Sequence, residues 1–326
     1  MSGFSSVYLE GYRFQDLWSV RRTCAANHVA LCSLPGYFET NANFRGRGKI
    51  GERRELDEEI LAYYGKGLER GRLPGVAAGR LEYLRTRDLL SRHLPPAPAI
   101  VLDVGGGAGA YALPLAGEGY AVYLLDPVPL HVEQAKAGST AQPEAPLTGA
   151  EVGDARSLSQ ASETVDAVLL LGPLYHLTSR EDRLRVFREA RRVVRPGGVV
   201  LAAAISRFAS TIDGLFNGFL ADEEFEAMVE RDLSEGQHRN PGERPGWFTT
   251  AYFHRPAELK EEAVEAGLVA EGLFGIEGPA WALSDLDAWI EDPARRTKLL
   301  DAVRRVEAEP ELLGASAHLL LVGRRL

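Results

Sequence analysis

The residues able to do chemistry gather around one glycine-rich stretch, Val101-Leu-Asp-Val-Gly-Gly-Gly-Ala-Gly109. Glycines at 105, 107 and 109 let the chain turn sharply and let a ligand approach the backbone. A helix starting just beyond, near Ala108, would offer its free N–H groups to that ligand. Gly105, Gly107 and Ala110 also satisfy the G-x-G-x-x-A pattern of dinucleotide-binding turns, so the glycines alone leave the ligand open. Asp103 narrows the choice. Its carboxylate precedes the first glycine by two positions, where it would repel a pyrophosphate and stabilise a cation. Asp126 ends the next apolar run, Val122-Tyr-Leu-Leu-Asp126, and can accept both hydroxyls of a ribose. In Gly153-Asp-Ala155, Asp154 can accept from an adenine amine, and the Ala155 N–H can donate to a ring nitrogen. This set suits a nucleoside that carries positive charge and no phosphate.

These residues need strand ends to hold them. Ala99–Val104 is a short apolar run of the kind found in buried parallel strands. Strand and helix then alternate. Strands are predicted at 121–125, 147–152, 165–171 and 199–205, and helices at 128–137 and 180–194. Such alternation implies right-handed βαβ units and a parallel sheet covered on both faces, the doubly wound α/β class. Arg195-Pro-Gly-Gly198 is expected to be a turn before the fifth strand. Upstream, helical spacing of Leu56, Ile60, Tyr63 and Tyr64 predicts a helix from Glu52, and a second helix is predicted over 78–93. Arg85 is expected on a solvated helix face. Residues 207–250 break the alternation with Phe208, Phe216, Phe219, Phe225, Trp247 and Phe248, and read as an insertion over the carboxyl edge of the sheet. A helix at 256–266, with Pro256 at its first position, a strand at 268–276, one or two helices between 283 and 309, and a last strand at 318–322 complete the pattern.

The chain resembles the class I S-adenosylmethionine-dependent methyltransferases. The resemblance rests on VLDVGGGAG, the strand ending in Asp126, GDA at 153–155, VDAVLLLGPLYHL at 165–177 and RRVVRPGG at 191–198, in the family's order over 101–205. It implies a Rossmann-like seven-stranded sheet with an antiparallel last strand, and S-adenosylmethionine as cofactor. By resemblance, Asp103, Gly105, Gly107 and Gly109 hold the methionine part, Asp126 the ribose, and Asp154 with Ala155 the adenine. Leu171 lines the same pocket, and Tyr64, from the N-terminal helical segment, closes over it. The expected organisation is an extension over 1–48 and a methyltransferase domain over 49–326. That domain divides into a helical cap (52–95), a cofactor-binding core (96–206), a substrate-side insertion (207–255) and the C-terminal part of the sheet (256–326).

Methyl transfer is an in-line displacement, helped by positioning and by exclusion of water. The loop after the fourth strand, Gly172-Pro-Leu-Tyr-His176, faces the reaction. His176 is the candidate general base, since imidazole is the side chain suited to that role near neutral pH. The alternative is a histidine that fixes the loop. Tyr175, Arg207 and His254 are candidates for the acceptor side. The fourth-strand motif lacks the Asp/Asn/Ser-Pro-Pro-Tyr of nucleobase amino-methylating enzymes, and a net charge of −9 disfavours a phosphate polymer. The acceptor is therefore expected to be a small molecule. Cys24 and Cys32 are the two cysteines, which excludes a disulfide framework or thiolate metal site in the main domain. No carboxylate cluster suggests a metal. No run reaches the length of a membrane span, and Arg21-Arg22 before a short apolar stretch makes a poor signal peptide, so a cytoplasmic location is expected. Two rival readings stay open: a nicotinamide-dependent oxidoreductase, and a methyltransferase-like binding protein without catalysis.

Overall fold

The computed structural model describes Tyr64, residues 72–240, 242, 244 and 246–326. The extension over 1–48, the helix expected from Glu52 apart from Tyr64, and the side chain of Arg72 lie outside the described residues.

After a single turn of helix, α1 (Arg72–Gly75), and the long α2 (Ala77–His93), the chain enters β1 (Ile100–Val104). Then follow α3 (Ala112–Gly117), β2 (Ala121–Asp126), α4 (Pro129–Ala141), β3 (Gly149–Val152), β4 (Val165–Leu170), α5 (Pro173–His176), α6 (Arg180–Val193) and β5 (Val194–Ser206). The segment after β5 forms α7 (Ala209–Asn217), α8 (Glu223–Glu235), β6 (Gln237–His238) and β7 (Ala251–His254). The remainder is α9 (Pro256–Glu265), β8 (Val269–Gly275), α10 (Leu286–Glu291), α11 (Pro293–Val306), α12 (Pro310–Leu313) and β9 (His318–Arg324).

The main sheet runs β3-β2-β1-β4-β5-β9-β8, with β9 antiparallel to both neighbours. The doubly wound, seven-stranded expectation with an antiparallel last strand holds. The central strands are mostly apolar, apart from residues such as Asp103 on β1 and Asp166 on β4, because helices cover both faces. On one face Leu89, Leu115 and Val132, from α2, α3 and α4, pack on Val101 and Leu169. On the other, Phe187 and Leu259, from α6 and α9, pack on Val168 and Leu319. α6 shows how sequence sets this arrangement. Leu184, Phe187, Ala190 and Val193 lie on its buried stripe, Glu181 sits in its first turn, and Arg191 and Arg192 sit in its last. Charges so placed complement the helix dipole.

β1 pairs with both β2 and β4. The chain moves outward from β1 to β3 and then returns to the other side of β1. That reversal opens a crevice beyond the carboxyl ends of β1 and β4, the usual ligand position in open α/β sheets.

Three local expectations are corrected. The helix after the glycines starts at Ala112 rather than near Ala108, because Gly105, Gly107 and Gly109 adopt φ of 71°, 56° and 90°. Left-handed residues cannot sit inside a right-handed helix turn. Arg195-Pro-Gly-Gly198 is a bulge within β5 rather than a turn before it: Val194 pairs with Val165, and pairing resumes at Val199 with Ala167. Gly197 takes a φ of 81° there. Residues 251–254, read as part of the insertion, form β7, which pairs in parallel with the end of β5 through Ile205–Phe253 and Ser206–His254.

Candidate functional site

A cleft of about 460 Å³ opens at the topological reversal. Its floor is the glycine loop. The N–H of Gly105 donates to the carbonyl of Leu125 at 2.7 Å, tying the loop to the end of β2. A Cβ on Gly106 would lie 2.7 Å from Asp103 Oδ2, and one on Gly105 would lie 2.9 Å from the Pro173 ring. The loop therefore packs so closely on β1 and α5 that no larger residue fits without a shift.

Asp103 lies in this cleft, fully buried, and neither carboxylate oxygen has a hydrogen-bond partner among the described residues. Burial, and then the charge of Asp126, push its carboxyl up to about 7. A buried carboxylate left unpaired is costly, so this one is poised for a cationic partner. Among the described residues lining the cleft there is no Lys and no Arg. Among the described residues a pyrophosphate would meet three aspartates, Asp103, Asp126 and Asp154, and no lining Lys or Arg, so the donor set fits a phosphate-free, positively charged nucleoside such as S-adenosylmethionine.

Asp126 is held in place rather than free. Its Oδ2 accepts from the Gly107 N–H at 2.9 Å, and its Oδ1 accepts from the Val128 N–H at 2.9 Å and from His131 Nδ1 at 3.0 Å. His131 was not anticipated from the sequence. It stands in the first turn of α4, which Pro129 starts, and its bond to Asp126 ties that turn to the end of β2. Its Nε2 is buried without a partner among the described residues, and the ring lines the cleft. An acidic strand end followed five residues later by His on a helix start was the available signal.

Asp154 and Ala155 line the cleft as expected, but the Asp154 carboxylate is gripped by Arg156, whose Nε and Nη2 donate at 3.0 and 2.7 Å. Gly105, Gly107, Gly109 and Leu171 also line it. Tyr64 completes one wall. Its hydroxyl shares a 2.6 Å hydrogen bond with His176 Nε2, and its ring meets His131 edge-on at 5.7 Å. His176 belongs to the one-turn α5, and its imidazole also meets the ring of Tyr175 at 4.6 Å.

A second cavity, about 230 Å³, adjoins the first, with Tyr64 and Tyr175 lining both. Its walls come mainly from the insertion: Ala209 and Ser210 of α7, Met228 of α8, His238 of β6, and Trp247 and Phe248 from the following loop. Phe248 links the two spaces, 5.8 Å from His176 and 6.4 Å from His238 between ring centres. α8 is anchored by Asp222, which accepts from the N–H groups of Glu224 and Phe225.

Two acceptor-side expectations are corrected. Arg207 lines neither cavity: its guanidinium pairs with Glu258 at 2.6 Å and donates to the Phe253 carbonyl at 2.6 Å. His254 is fully buried against Glu262, at 3.3 Å, and burial pushes its imidazole down toward the neutral form. Arg207 follows β5 and His254 ends β7, but both turn to the face covered by α6 and α9, where Arg183 and Glu262 form a buried pair at 2.7 Å. The expectation of no metal-ligand cluster is also modified. Glu82, Glu277 and His318, remote in sequence, bring ligand atoms within 4.8 Å of one another, with Glu277 already bonded to His318 Nδ1 and to Ser316.

A family model described as a methyltransferase domain matches residues 102–202, the stretch that runs from β1 into β5 and carries the glycine loop. An uncharacterized methyltransferase of Mycobacterium tuberculosis is 34% identical over 230 residues, covering 70% of this chain and 81% of the relative. The chain belongs to the class I S-adenosylmethionine-dependent methyltransferases. Its cofactor is thus S-adenosylmethionine, and the nicotinamide reading falls. A ubiquinone biosynthesis O-methyltransferase of Methylocella silvestris is 36% identical over 141 residues, and the chain spans about half of that methyltransferase's length, 52%. Among solved folds, an S-adenosylmethionine-dependent methyltransferase from Mesorhizobium loti superposes with a TM-score of 0.50 at 19% identity, covering 78% of this chain and 100% of that one. Among the described residues, no helix of this methyltransferase is long and apolar enough to cross a membrane.

Proposed function

We propose that this methyltransferase binds S-adenosylmethionine in the glycine cleft and methylates a small, largely apolar metabolite held in the adjoining aromatic cavity. The observation that carries the reading is Asp103, a buried carboxylate with both oxygens unpartnered among the described residues, in a cleft whose described lining has no Lys or Arg. When bound, the cofactor supplies an electrophilic methyl group on a sulfonium. Asp103 and the backbone of Gly105, Gly107 and Gly109 would hold its cationic methionine end. Asp126, fixed by three donors, would take the ribose hydroxyls, with His131 beside it. The Ala155 N–H would face the adenine. Asp154, with its carboxylate held by Arg156, supports that wall and leaves the amine contact to its remaining lone pairs.

His176 is better suited to fixing the loop than to acting as the base. Its Nε2 is engaged by Tyr64, and it lines the cofactor cleft without lining the acceptor cavity. The Tyr64–His176 bridge would close the cleft and keep water from the methyl group. The aromatic walls suit an apolar ring system, and the Methylocella silvestris relative is a ubiquinone biosynthesis O-methyltransferase. The net charge of −9 argues against a nucleic-acid acceptor and, with the scarcity of cysteine, fits work in the cytoplasm.

Calorimetric titration with S-adenosylhomocysteine and with NAD, followed by incubation with methyl-labelled cofactor and fractionated cell extract, tests the reading. Binding of the first ligand alone and label in a small apolar product are expected. Tight binding with label in no small molecule would instead favour a binding protein that has lost catalysis.

A further inference from the structure

We infer that His238, oriented by Asp232, is the general base of this enzyme, and that the acceptor atom is therefore a hydroxyl oxygen. The inference rests on the reading of the second cavity as the acceptor site. Asp232 on α8 is fully buried, and its Oδ2 accepts two hydrogen bonds, from Ser210 Oγ at 2.6 Å and from His238 Nδ1 at 2.9 Å. The bond to Nδ1 places the imidazole proton on that nitrogen and leaves Nε2 as the lone-pair atom. His238 is buried, lines the acceptor cavity, and its Nε2 has no hydrogen-bond partner among the described residues. Its ring is stacked on Phe253 at 4.6 Å with 8° between planes and so cannot swing. An imidazole oriented by a carboxylate on one side and presenting a bare nitrogen to a cavity on the other is the arrangement of a general base.

The serine in this group is not a nucleophile. Ser210 donates to Asp232 rather than to the imidazole, so no base is placed to activate it. Among the described residues, the remaining titratable groups of the cavity are Tyr64, bonded to His176, Tyr175, which donates to the Leu171 carbonyl, Asp213, bonded to Asn217, and His318, bonded through Nδ1 to Glu277. None of these four places a buried nitrogen without a hydrogen-bond partner among the described residues in the cavity, as His238 does. An already neutral amine needs no such group before attack, whereas a hydroxyl gains from one, because its proton can pass to the imidazole as the oxygen attacks. In the transfer, the acceptor oxygen forms its bond to the methyl carbon as the carbon–sulfur bond breaks. The sulfonium becomes a neutral thioether, and the hydroxyl proton passes to Nε2. The resulting imidazolium lies against Asp232 and afterwards returns the proton to water.

The test uses the full chain, S-adenosylmethionine and a series of phenols from 4-methoxyphenol to 4-nitrophenol. The wild type is expected to methylate them on oxygen. His238→Gln is expected to lower kcat/KM by about 10²–10⁴-fold for 4-methoxyphenol but by about tenfold or less for 4-nitrophenol, which is largely ionised at pH 8 and needs no base. Asp232→Asn, a positioning change, is expected to show the same dependence on acceptor acidity, which a merely loosened fold would not produce. Both variants should bind S-adenosylhomocysteine as the wild type does. Equal losses across the series, full activity of His238→Gln, or a wild type that methylates amines or carbon acids but no hydroxyl would overturn the inference and leave the proposed function standing. Failure of the wild type to bind S-adenosylhomocysteine would sink both.

Discussion

The two cavities of this methyltransferase lie side by side, yet they are built on different principles. The cofactor cleft is made by backbone: left-handed glycines, strand ends and N–H groups, with carboxylates set at the tips of β1 and β2. The second cavity is made by side chains delivered on helices and loops inserted after β5, packed in aromatic pairs such as Phe225 edge-on to Trp247 at 5.1 Å. A backbone cradle reads one ligand and tolerates little change. A wall of side chains can be re-cut without disturbing the sheet. The comparison predicts that cleft substitutions act on cofactor binding and that cavity substitutions act on the acceptor.

The largest expected effect is at Asp126. Asp126→Ala removes the acceptor for three donors and should weaken S-adenosylhomocysteine binding by about 1.5–3 kcal/mol, measured by calorimetry. Unchanged affinity would remove this carboxylate from the pocket. Next comes the pH response of Asp103. Its folded-state carboxyl sits at about 7, above the ordinary carboxylate value of 3.8. The stability of the cofactor-free protein from this group is fully present below the lower value and is lost as pH rises through about 7. Cofactor binding runs the other way, because the cation selects the ionised form. Affinity should rise by up to about tenfold per pH unit as pH approaches 7, with proton release that Asp103→Asn abolishes. An equally steep pH dependence in the variant would show that some other group is responsible.

On the acceptor side, Phe248→Ala should raise KM for the acceptor by an amount worth about 0.5–1.5 kcal/mol while leaving cofactor affinity within about twofold. A parallel loss in cofactor affinity would mean that the two cavities are one energetic unit. The smallest effect is expected for Tyr64→Phe. It removes the hydroxyl bonded to His176 and should cost about 0.5 kcal/mol in cofactor binding, the low end for one hydrogen bond, read from the dissociation rate. No change would leave Tyr64 as a wall without a latch.

What could be read in the chain divides along the same line. The strands, the glycine loop and the acidic strand ends were legible because their chemistry is local. Apolar runs of strand length, a glycine wherever φ must be positive, and a carboxylate just beyond a strand are properties of neighbours in sequence. Even there, neighbours misled where backbone geometry intervened, as at the late start of α3 and the bulge at Arg195–Gly198. Arg85, read as solvated, is buried and pairs with Glu307, 222 positions away.

The sequence by itself determined the sheet and the kind of cofactor, since both follow from patterns a few residues long. Tertiary structure alone decided which histidine lines the second cavity with an unpartnered nitrogen. Ser210, Asp232 and His238 lie on three separate elements of the insertion, and no spacing rule joins them. They meet because α7, α8 and β6 fold over the end of β5 and bury their polar groups together, where each must find a partner or pay the full cost of leaving water.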